Sequence, residues 1–528
     1  MNKFFILILL FNIFSCEKEV IKTKAIPSTS HTAPIAQPEK KSKVVNDISP
    51  NAQNSKTIVG FPKSSNYSLF WQIEKNRKTV LKNFEKSYED GLNPADYNTT
   101  QLWKYETKMS SLNEGQLEKY DALLTTSFQK YIAHLTNGRL NPRKLYRNWD
   151  LKPNKIDINK TIFNPLESDS LAEKMKRLKP QHLVYKRLKK ALAIINNLPN
   201  DKLKAMKIKN VIVQNDTNPS LIDIKKRLIY WKDMPSKDSI SAIYDSETVN
   251  AIKKFQTRHG LAADGLIGKI TVTSLNFSKK QRREQIIANL ERWKWFPRVM
   301  GKEYLIINIP DYRLSLVKNQ DTLRTHKVIV GRQKRKTPVL FSKLAQAVFN
   351  PTWTVPPTIL REDVIPAILK DHNYLAKTNI KLYDLNGNFV PASNWRLSNA
   401  KNYRYVQSPG TFNSLGMVKL TFPNRFSIYL HDTNHREFFT KSERSLSSGC
   451  VRVDNPMELT EYLLDDVNNW NLEKITETLQ SEKTKQINIK KEVFIHILYW
   501  TAWSEKNTLI FRDDIYNLDA DLYDKLGK

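Results

Sequence analysis

Apolar residues recur at helical spacing through the early part of the chain, as at Leu123, Phe128, Tyr131, Ile132 and Leu135. Such a stripe predicts amphipathic helices packed on one another across residues 65–205. Two clusters interrupt it, residues 90–94 with Gly91 and Pro94 and residues 137–142 with Gly138 and Pro142. Glycine and proline together end helices. No reactive side chains gather in this region, which reads as a helical scaffold. A shorter pattern follows over residues 215–278. Leu221, Ile224 and Leu228 share one helix face, and Val249, Ile252 and Phe255 share another. Gly260, Gly265 and Gly268 fall where caps and turns belong, so three short helices are expected.

From about residue 285 the pattern changes. Residues 304–309, 314–317, 326–330 and 427–430 are β-rich runs bounded by turn residues. They predict a β-dominated domain over 285–480. A proline-containing, partly helical stretch at about 354–405 interrupts it and is a candidate lid over a site. The last segment, 481–528, is dense in aromatics (Tyr499, Trp500, Trp503, Phe511, Tyr516) and is expected to pack on the core. The fold class expected is α+β and multidomain.

At the N-terminus, Lys3 precedes an apolar run from Phe4 to Phe14 broken only by Asn12. The run is too short to span a bilayer and reads as a secretory signal, residues 1–15. Residues 13–16 resemble a bacterial lipobox, which implies cleavage before Cys16 and lipidation of its thiol. Ordinary signal cleavage nearby is the competing reading. Residues 16–64 mix Pro, Ser, Thr, Asn and Lys without apolar period, the composition of a flexible linker.

Composition adds three limits. A chain of 528 residues is too long for one core, and its 40% hydrophobic and 10% aromatic content supports several. The net charge of +32 suits an anionic partner such as a membrane surface or an acidic wall polymer. No dense basic run with interleaved aromatics supports nucleic acid, and the export signal argues against it. Finally, the chain has only two cysteines, Cys16 and Cys450. With Cys16 lipidated, Cys450 is the lone free thiol, and a disulfide is not expected.

Cys450 has a candidate partner. His431 ends the apolar run at 427–430, and Cys450 follows in the string Ser447, Ser448, Gly449, Cys450, Val451, Arg452. A thiol nucleophile needs a base, because the thiolate attacks. Gly449 permits a tight bend, and the amides of Gly449 and Cys450 can then face an oxyanion. A zinc site is the rival, since His431 and His435 are spaced i, i+4 with Glu437 near. That spacing needs a helix, whereas a strand run precedes His431, so no metal is expected.

The string His431 … Ser447-x-Gly449-Cys450-x-Arg452 resembles the catalytic motif of the L,D-transpeptidases. Flanking blocks extend the likeness: Val330, Gly331 and Arg332 with Lys336, Thr337 and Pro338; Asn350 to Pro357; and Gln407 to Lys419. Residues 215–278 resemble a small peptidoglycan-binding domain. The whole resembles the large periplasmic subgroup of the family, here as a lipoprotein, with Ser448 and Arg452 where many members carry other residues. The resemblance implies a β-rich catalytic domain with a lid insertion and a reaction without cofactor. Cys450 would attack the diamino acid–D-Ala bond of a tetrapeptide stem, with His431 as general acid and base. Gly449 would give a backbone oxyanion contact, with Ser448 beside it. Arg452, Arg404, Tyr405, Asn413, Gly416 and Ser447 would lie on the substrate side. The third catalytic member stays open between a backbone carbonyl and Asp432. Implied partners are peptidoglycan stem peptides and, through the lipid on Cys16, a membrane; carbapenems are implied covalent inhibitors. The implied location is the periplasm or cell envelope. The alternatives are an L,D-carboxypeptidase, a stem-modifying hydrolase, or a wall-anchoring lipoprotein without catalysis.

Overall fold

The computed structural model describes residues 69–157, 161–162, 170–465 and 470–527. The expected signal at 1–15, the lipidation site Cys16 and the linker at 16–64 lie outside the described residues. Among those described, no helix is long and apolar enough to cross a membrane.

Helices Glu74–Glu85, Thr99–Thr107, Glu114–Asn137 and Leu171–Leu178 close around a core that includes Leu81, Phe84, Leu102, Phe128, Tyr131 and Leu135. The stripe read along residues 123–135 is therefore a buried face. The long helix starts at a reciprocal cap: the Asn113 side chain accepts from the Gln116 N–H at 2.9 Å, and the Gln116 side chain accepts from the Asn113 N–H at 3.0 Å. Two otherwise orphaned donors are satisfied there.

A central helix, Lys279–Trp295, joins this region to the rest. The β-pattern expected from residue 285 missed it, for a physical reason. The helix is buried on all sides, so polar Gln285, Asn289, Arg292 and Lys294 sit inside alongside Ile286 and Leu290, and no apolar stripe shows. The buried charges are compensated. Arg292 pairs with Asp519, and Lys294 donates to the Asp90 carbonyl at 2.9 Å and faces Glu291 at 3.4 Å.

Strands are numbered along the chain: β1 (Trp149–Asp150), β2 (Glu303–Asn308), β3 (Arg313–Lys318), β4 (Asp321–Gly331), β5 (Val339–Lys343), β6 (Gln346–Phe349), β7 (Trp353–Thr354), β8 (Ile380–Tyr383), β9 (Phe389–Val390), β10 (Arg404–Gln407), β11 (Val418–Thr421), β12 (Leu430–His431), β13 (Ser445–Ser447), β14 (Val451–Val453), β15 (Lys485–Asn488), β16 (Phe494–Leu498), β17 (Ala502–Glu505) and β18 (Thr508–Phe511). One mixed sheet runs β1-β5-β16-β2-β3-β4-β14-β12-β11-β6-β15, with β13 beside β4. Its edge strand β1 comes from the helical region, pairing Trp149 with Val339. Helix Leu183–Asn196 contributes Tyr185, Leu188 and Leu192 to the same core as the sheet. The C-terminal strand β16 lies inside the sheet, parallel to β2 and antiparallel to β5, rather than on its surface.

Helices Ser220–Tyr230, Ser246–Arg258 and Lys269–Leu275 bury Leu221, Ile224, Leu228, Ile252 and Phe255 together, a three-helix unit. It rests on the β17–β18 hairpin, where His259 stacks on Phe511 with centroids 5.6 Å apart. The insertion between β7 and β10 has its own sheet, β7-β10-β8-β9, and its own core around Val364, Ile368, Leu382, Trp395 and Tyr405.

Candidate active site

Four adjacent strands set the site. Lys419 on β11 pairs with His431 on β12, His431 pairs with Arg452 on β14, and Arg452 pairs with Ile329 on β4. Directly paired residues share a face of a sheet, so Lys419, His431 and Arg452 stand in one row. Strand alternation puts Tyr429 and Cys450, each two residues before a member of the row, on that face too. The Val451 N–H donates to the Tyr429 carbonyl at 3.2 Å and aligns the two segments.

The turn carrying Cys450 is held from behind. Gly449 has φ +118°, a conformation that favours glycine. Ser447 Oγ donates to the Cys450 carbonyl at 2.6 Å and accepts from the Gly449 N–H at 3.1 Å. Thr337, fully buried, donates to the Gly449 carbonyl at 2.9 Å and accepts from the Gly331 N–H at 2.8 Å. Tyr516, from the end of the chain, donates to the Gly331 carbonyl at 2.6 Å and accepts from the Thr337 N–H at 3.0 Å. A β-carbon on Gly331 would come within 2.2 Å of the Arg335 carbonyl oxygen, so only glycine fits. The nucleophile turn, the 331–337 turn and the chain terminus thus form one hydrogen-bonded stack.

Electrostatics favour a neutral resting pair. Burial pulls the His431 imidazole down to about 3, helped by the cations Arg452 and Lys419 and opposed by backbone groups of Asp432 and Leu415. Burial also pushes the Cys450 thiol up, while the backbone and hydroxyl of Tyr429 and the charges of Lys419 and Arg452 favour the thiolate. Lys419 itself is lowered by burial, and its Nζ lies 4.1 Å from the centroid of the Tyr429 ring. The His431 Nδ1 is buried without a partner among the described residues. A neutral imidazole on the same sheet face as a thiol is in the protonation state that a general base needs.

The other expected residues fall in different places. Arg452 carries a charge that favours the Cys450 thiolate and donates to Thr433 Oγ1 at 3.3 Å. The Gly449 amide is spent on Ser447, which corrects its expected role as a free oxyanion donor; the Cys450 amide has no partner among the described residues. Ser448 is exposed and accepts from Arg335 at 2.9 Å, so it supports the loop from outside rather than meeting the thiol. Ser447 likewise braces the turn. Tyr405 is corrected to a lid-core residue: its hydroxyl accepts from Trp395 at 2.6 Å and donates to the Ala400 carbonyl at 2.9 Å. Arg404 is exposed on the same insertion, 6.0 Å from the Tyr383 ring. Asn413 is buried and donates to the Pro351 and Ser408 carbonyls, each at 2.9 Å. Gly416, at φ +61°, sits against Asp432, where a β-carbon would lie 2.4 Å from the carboxylate. Asn413 and Gly416 therefore shape the turn packed against Asp432, the residue after His431.

Asp432 accepts from the Met417 N–H at 2.9 Å and from Arg436 at 3.0 Å. Its carboxylate is engaged by these two donors. His435 is exposed, 3.1 Å from Glu437 and stacked on Phe438. Among the described residues, no three His, Cys, Asp or Glu side chains are grouped to hold a metal.

Sequence reasoning missed Tyr429, Lys419, Thr337 and Tyr516 as parts of the site. Strand alternation around His431 gives the signal for Tyr429. Nothing local marks Tyr516, which arrives from the far end of the chain.

The lid joins this assembly through charge. Arg335 pairs with Glu362 at 2.7 Å and with Asp363, and Arg332 reaches Asp363 at 3.3 Å. Since Arg335 also holds Ser448, one guanidinium links the lid to the nucleophile loop.

Comparison with known proteins accords with this architecture. Residues 57–192 match the scaffold domain family, 217–275 the family described as "Putative peptidoglycan binding domain", and 302–478 the L,D-transpeptidase catalytic domain. A Haemophilus influenzae protein named "Putative L,D-transpeptidase" is 33% identical over 305 residues, which cover 56% of this chain and 60% of that protein. The chain thus matches about three fifths of that relative's length. Solved L,D-transpeptidases from Xylanimonas cellulosilytica (12% identity, TM-score 0.18, 56% of this chain and 100% of that one) and Stackebrandtia nassauensis (14%, 0.21, 54% and 96%) also match. Such loose superpositions add nothing to the site, and the assignment rests on the domain matches and the curated relative. By these matches the chain combines a scaffold domain, a peptidoglycan-binding domain and an L,D-transpeptidase catalytic domain.

Proposed function

We propose that the protein cross-links peptidoglycan by cysteine-dependent acyl transfer. The observation that carries this is the shared sheet face, where a buried His431 is flanked by Lys419 and Arg452 and Cys450 lies two residues before Arg452. His431 removes the Cys450 proton as the sulfur attacks the carbonyl between the diamino acid and the terminal D-Ala of a tetrapeptide stem. The tetrahedral oxyanion takes the Cys450 amide N–H as a donor. The C–N bond breaks, the imidazolium returns the proton to the leaving D-Ala amine, and a thioester remains. A side-chain amine of a second stem attacks that thioester, His431 again carries the proton, and a 3→3 cross-link forms with the thiol restored. Arg452 and Lys419 favour the thiolate and attract carboxylates of the stem. The protein acts in the cell envelope, anchored by lipid on Cys16, and a carbapenem acylates Cys450 as the stem does.

The test is incubation of the purified protein with tetrapeptide-stem muropeptides, read by mass spectrometry. Wild type should release D-Ala and give 3→3 dimers, and Cys450→Ala should give neither. Trimmed stems without dimers would instead assign the thioester to water, making the enzyme a carboxypeptidase. Equal products from Cys450→Ala would sink the cysteine mechanism.

A further inference from the structure

The row across the reactive sheet face carries two cations, and the acid next to it is already engaged. Lys419 on β11 pairs with His431 on β12, and His431 pairs with Arg452 on β14. Val418 and Leu420, on either side of Lys419, are buried in the core, so Lys419 points to the other face, where it is half-buried. Its ammonium lies 4.1 Å from the centroid of the Tyr429 ring. The same ring stands edge-on to the His431 imidazole, with centroids 5.6 Å apart. Tyr429 is thus a neighbour of both groups. Asp432 accepts from the Met417 N–H at 2.9 Å and from Arg436 at 3.0 Å, so its charge is spent. The Lys419 ammonium has no carboxylate partner and no hydrogen-bond acceptor among the described residues. A half-buried cation without a counter-ion is unfavourable, and burial lowers its pKa accordingly. A carboxylate brought by a ligand would complete it.

The order of strands says which carboxylate. Cys450 leads into β14, His431 is on the next strand, and Lys419 is on the strand beyond. In acyl transfer the base takes the proton of the nucleophile and gives it to the leaving nitrogen, so it works between the two. Lys419 is therefore on the leaving-group side of His431. In a leaving amino acid the carboxylate is two bonds from that nitrogen, within reach of an ammonium one strand over, about 4.8 Å away. We propose that Lys419 is a specificity-determining residue that holds the free carboxylate of the terminal D-Ala while His431 protonates its nitrogen. The inference rests on the reading that the protein attacks a stem ending in D-Ala. The C–N bond breaks, the imidazolium gives its proton to the D-Ala nitrogen, and Lys419 keeps its own proton throughout. A carboxylate held there restricts attack to the last peptide bond, because one more residue carries the charge about 3.5 Å further along the chain.

The experiment offers the full chain two tetrapeptide stems, one ending in D-Ala and one in D-alaninamide, and follows release of the terminal residue by mass spectrometry. Wild type should show a kcat/KM for the acid roughly tenfold or more above that for the amide, the size of one charge-assisted contact. Lys419→Met keeps a long unbranched side chain against the Tyr429 ring and should bring the ratio close to one. Lys419→Arg keeps the charge and should retain most of the preference. Both substrates meet the same thiol and imidazole, so a change in the Cys450 pKa or in the folded fraction cancels in the ratio. Equal rates on the two substrates by wild type overturn the proposal. A preference that survives in Lys419→Met overturns it too, and gives the carboxylate to another cation such as Arg452. Release of neither residue by wild type overturns this proposal together with the acyl-transfer reading, whereas release of both without preference leaves that reading standing.

Discussion

Tyr429 stands beside the Cys450 turn, held in register by the Val451 N–H, which donates to the Tyr429 carbonyl at 3.2 Å, and its hydroxyl favours the Cys450 thiolate. The segment that leads into His431 therefore also faces the Cys450 turn.

Removing that donor should be felt in the thiol's titration. Tyr429→Phe keeps the ring and deletes the O–H, so the thiolate loses a favourable contact and the Cys450 pKa rises further. A hydrogen bond to a charged group contributes about 1.5–3 kcal/mol, which predicts alkylation by iodoacetamide at pH 8 slowed roughly tenfold or more. An unchanged rate–pH profile would show that Tyr429 acts only as packing.

Thr337 is the post on which the nucleophile turn hangs. Thr337→Val preserves shape but orphans the Gly331 N–H and the Gly449 carbonyl, both buried. A loss of about 2–4 kcal/mol in urea denaturation is expected, with slower carbapenem acylation, and Thr337→Ser should recover most of both. Stability within error of wild type for the valine variant would contradict this account.

The Arg335 latch predicts a lid that opens more often when the guanidinium is removed. Each exposed pair contributes only about 0.2–1 kcal/mol, but three partners depend on this one side chain. Arg335→Ala should raise amide exchange in residues 357–370 several-fold at low salt, and added salt should bring wild type toward the variant. Glu362→Gln with Asp363→Asn should reproduce the effect. Identical exchange in all three proteins would disprove the latch.

Acid should unfold the protein through its buried histidines. Burial lowers His431 and His134 to about 3, and His182 and His496 to about 4, from an ordinary 6.5. The sign follows from proton binding. Above pH 6.5 neither state binds these protons, and the stability is fully present. As pH falls from 6.5 toward 4, the unfolded chain binds protons that the folded one excludes, and the stability is lost. Each site should contribute on the order of 1–2 kcal/mol of that loss by pH 5. Urea midpoints at pH 7.5 and pH 5 measure it; His182→Phe should lessen the difference, and no difference in wild type would refute the assignment.

The sequence was most informative where a single face is buried. The stripe from Leu123 to Leu135 and the run of β3 could be read because one side of each meets solvent or a weaker neighbour, and β2 because its buried residues form one continuous apolar run. The helix at Lys279–Trp295 could not, because tertiary partners supply what its polar residues need and periodicity vanishes. At the site, motif and chemistry singled out the thiol and the imidazole, which the fold sets on one sheet face. Tyr405, Asn413 and Gly416 are near the site in sequence but are turned inward by hydrogen bonds that span many residues. Conversely, Thr337 and Tyr516 meet across a gap in sequence, and only the sheet order makes them neighbours.

That last pairing sets an order of events in time. A chain grows and is threaded from its first residue to its last. The strand at Phe494–Leu498 fills the middle of the sheet, and Tyr516 ties down the turn behind Cys450. Nearly every residue must therefore be free before the reactive turn can set. A nascent or stalled chain that already contains Cys450 and His431 carries the motif without its support. The support behind Cys450 is thus complete only once these late strands have joined the sheet.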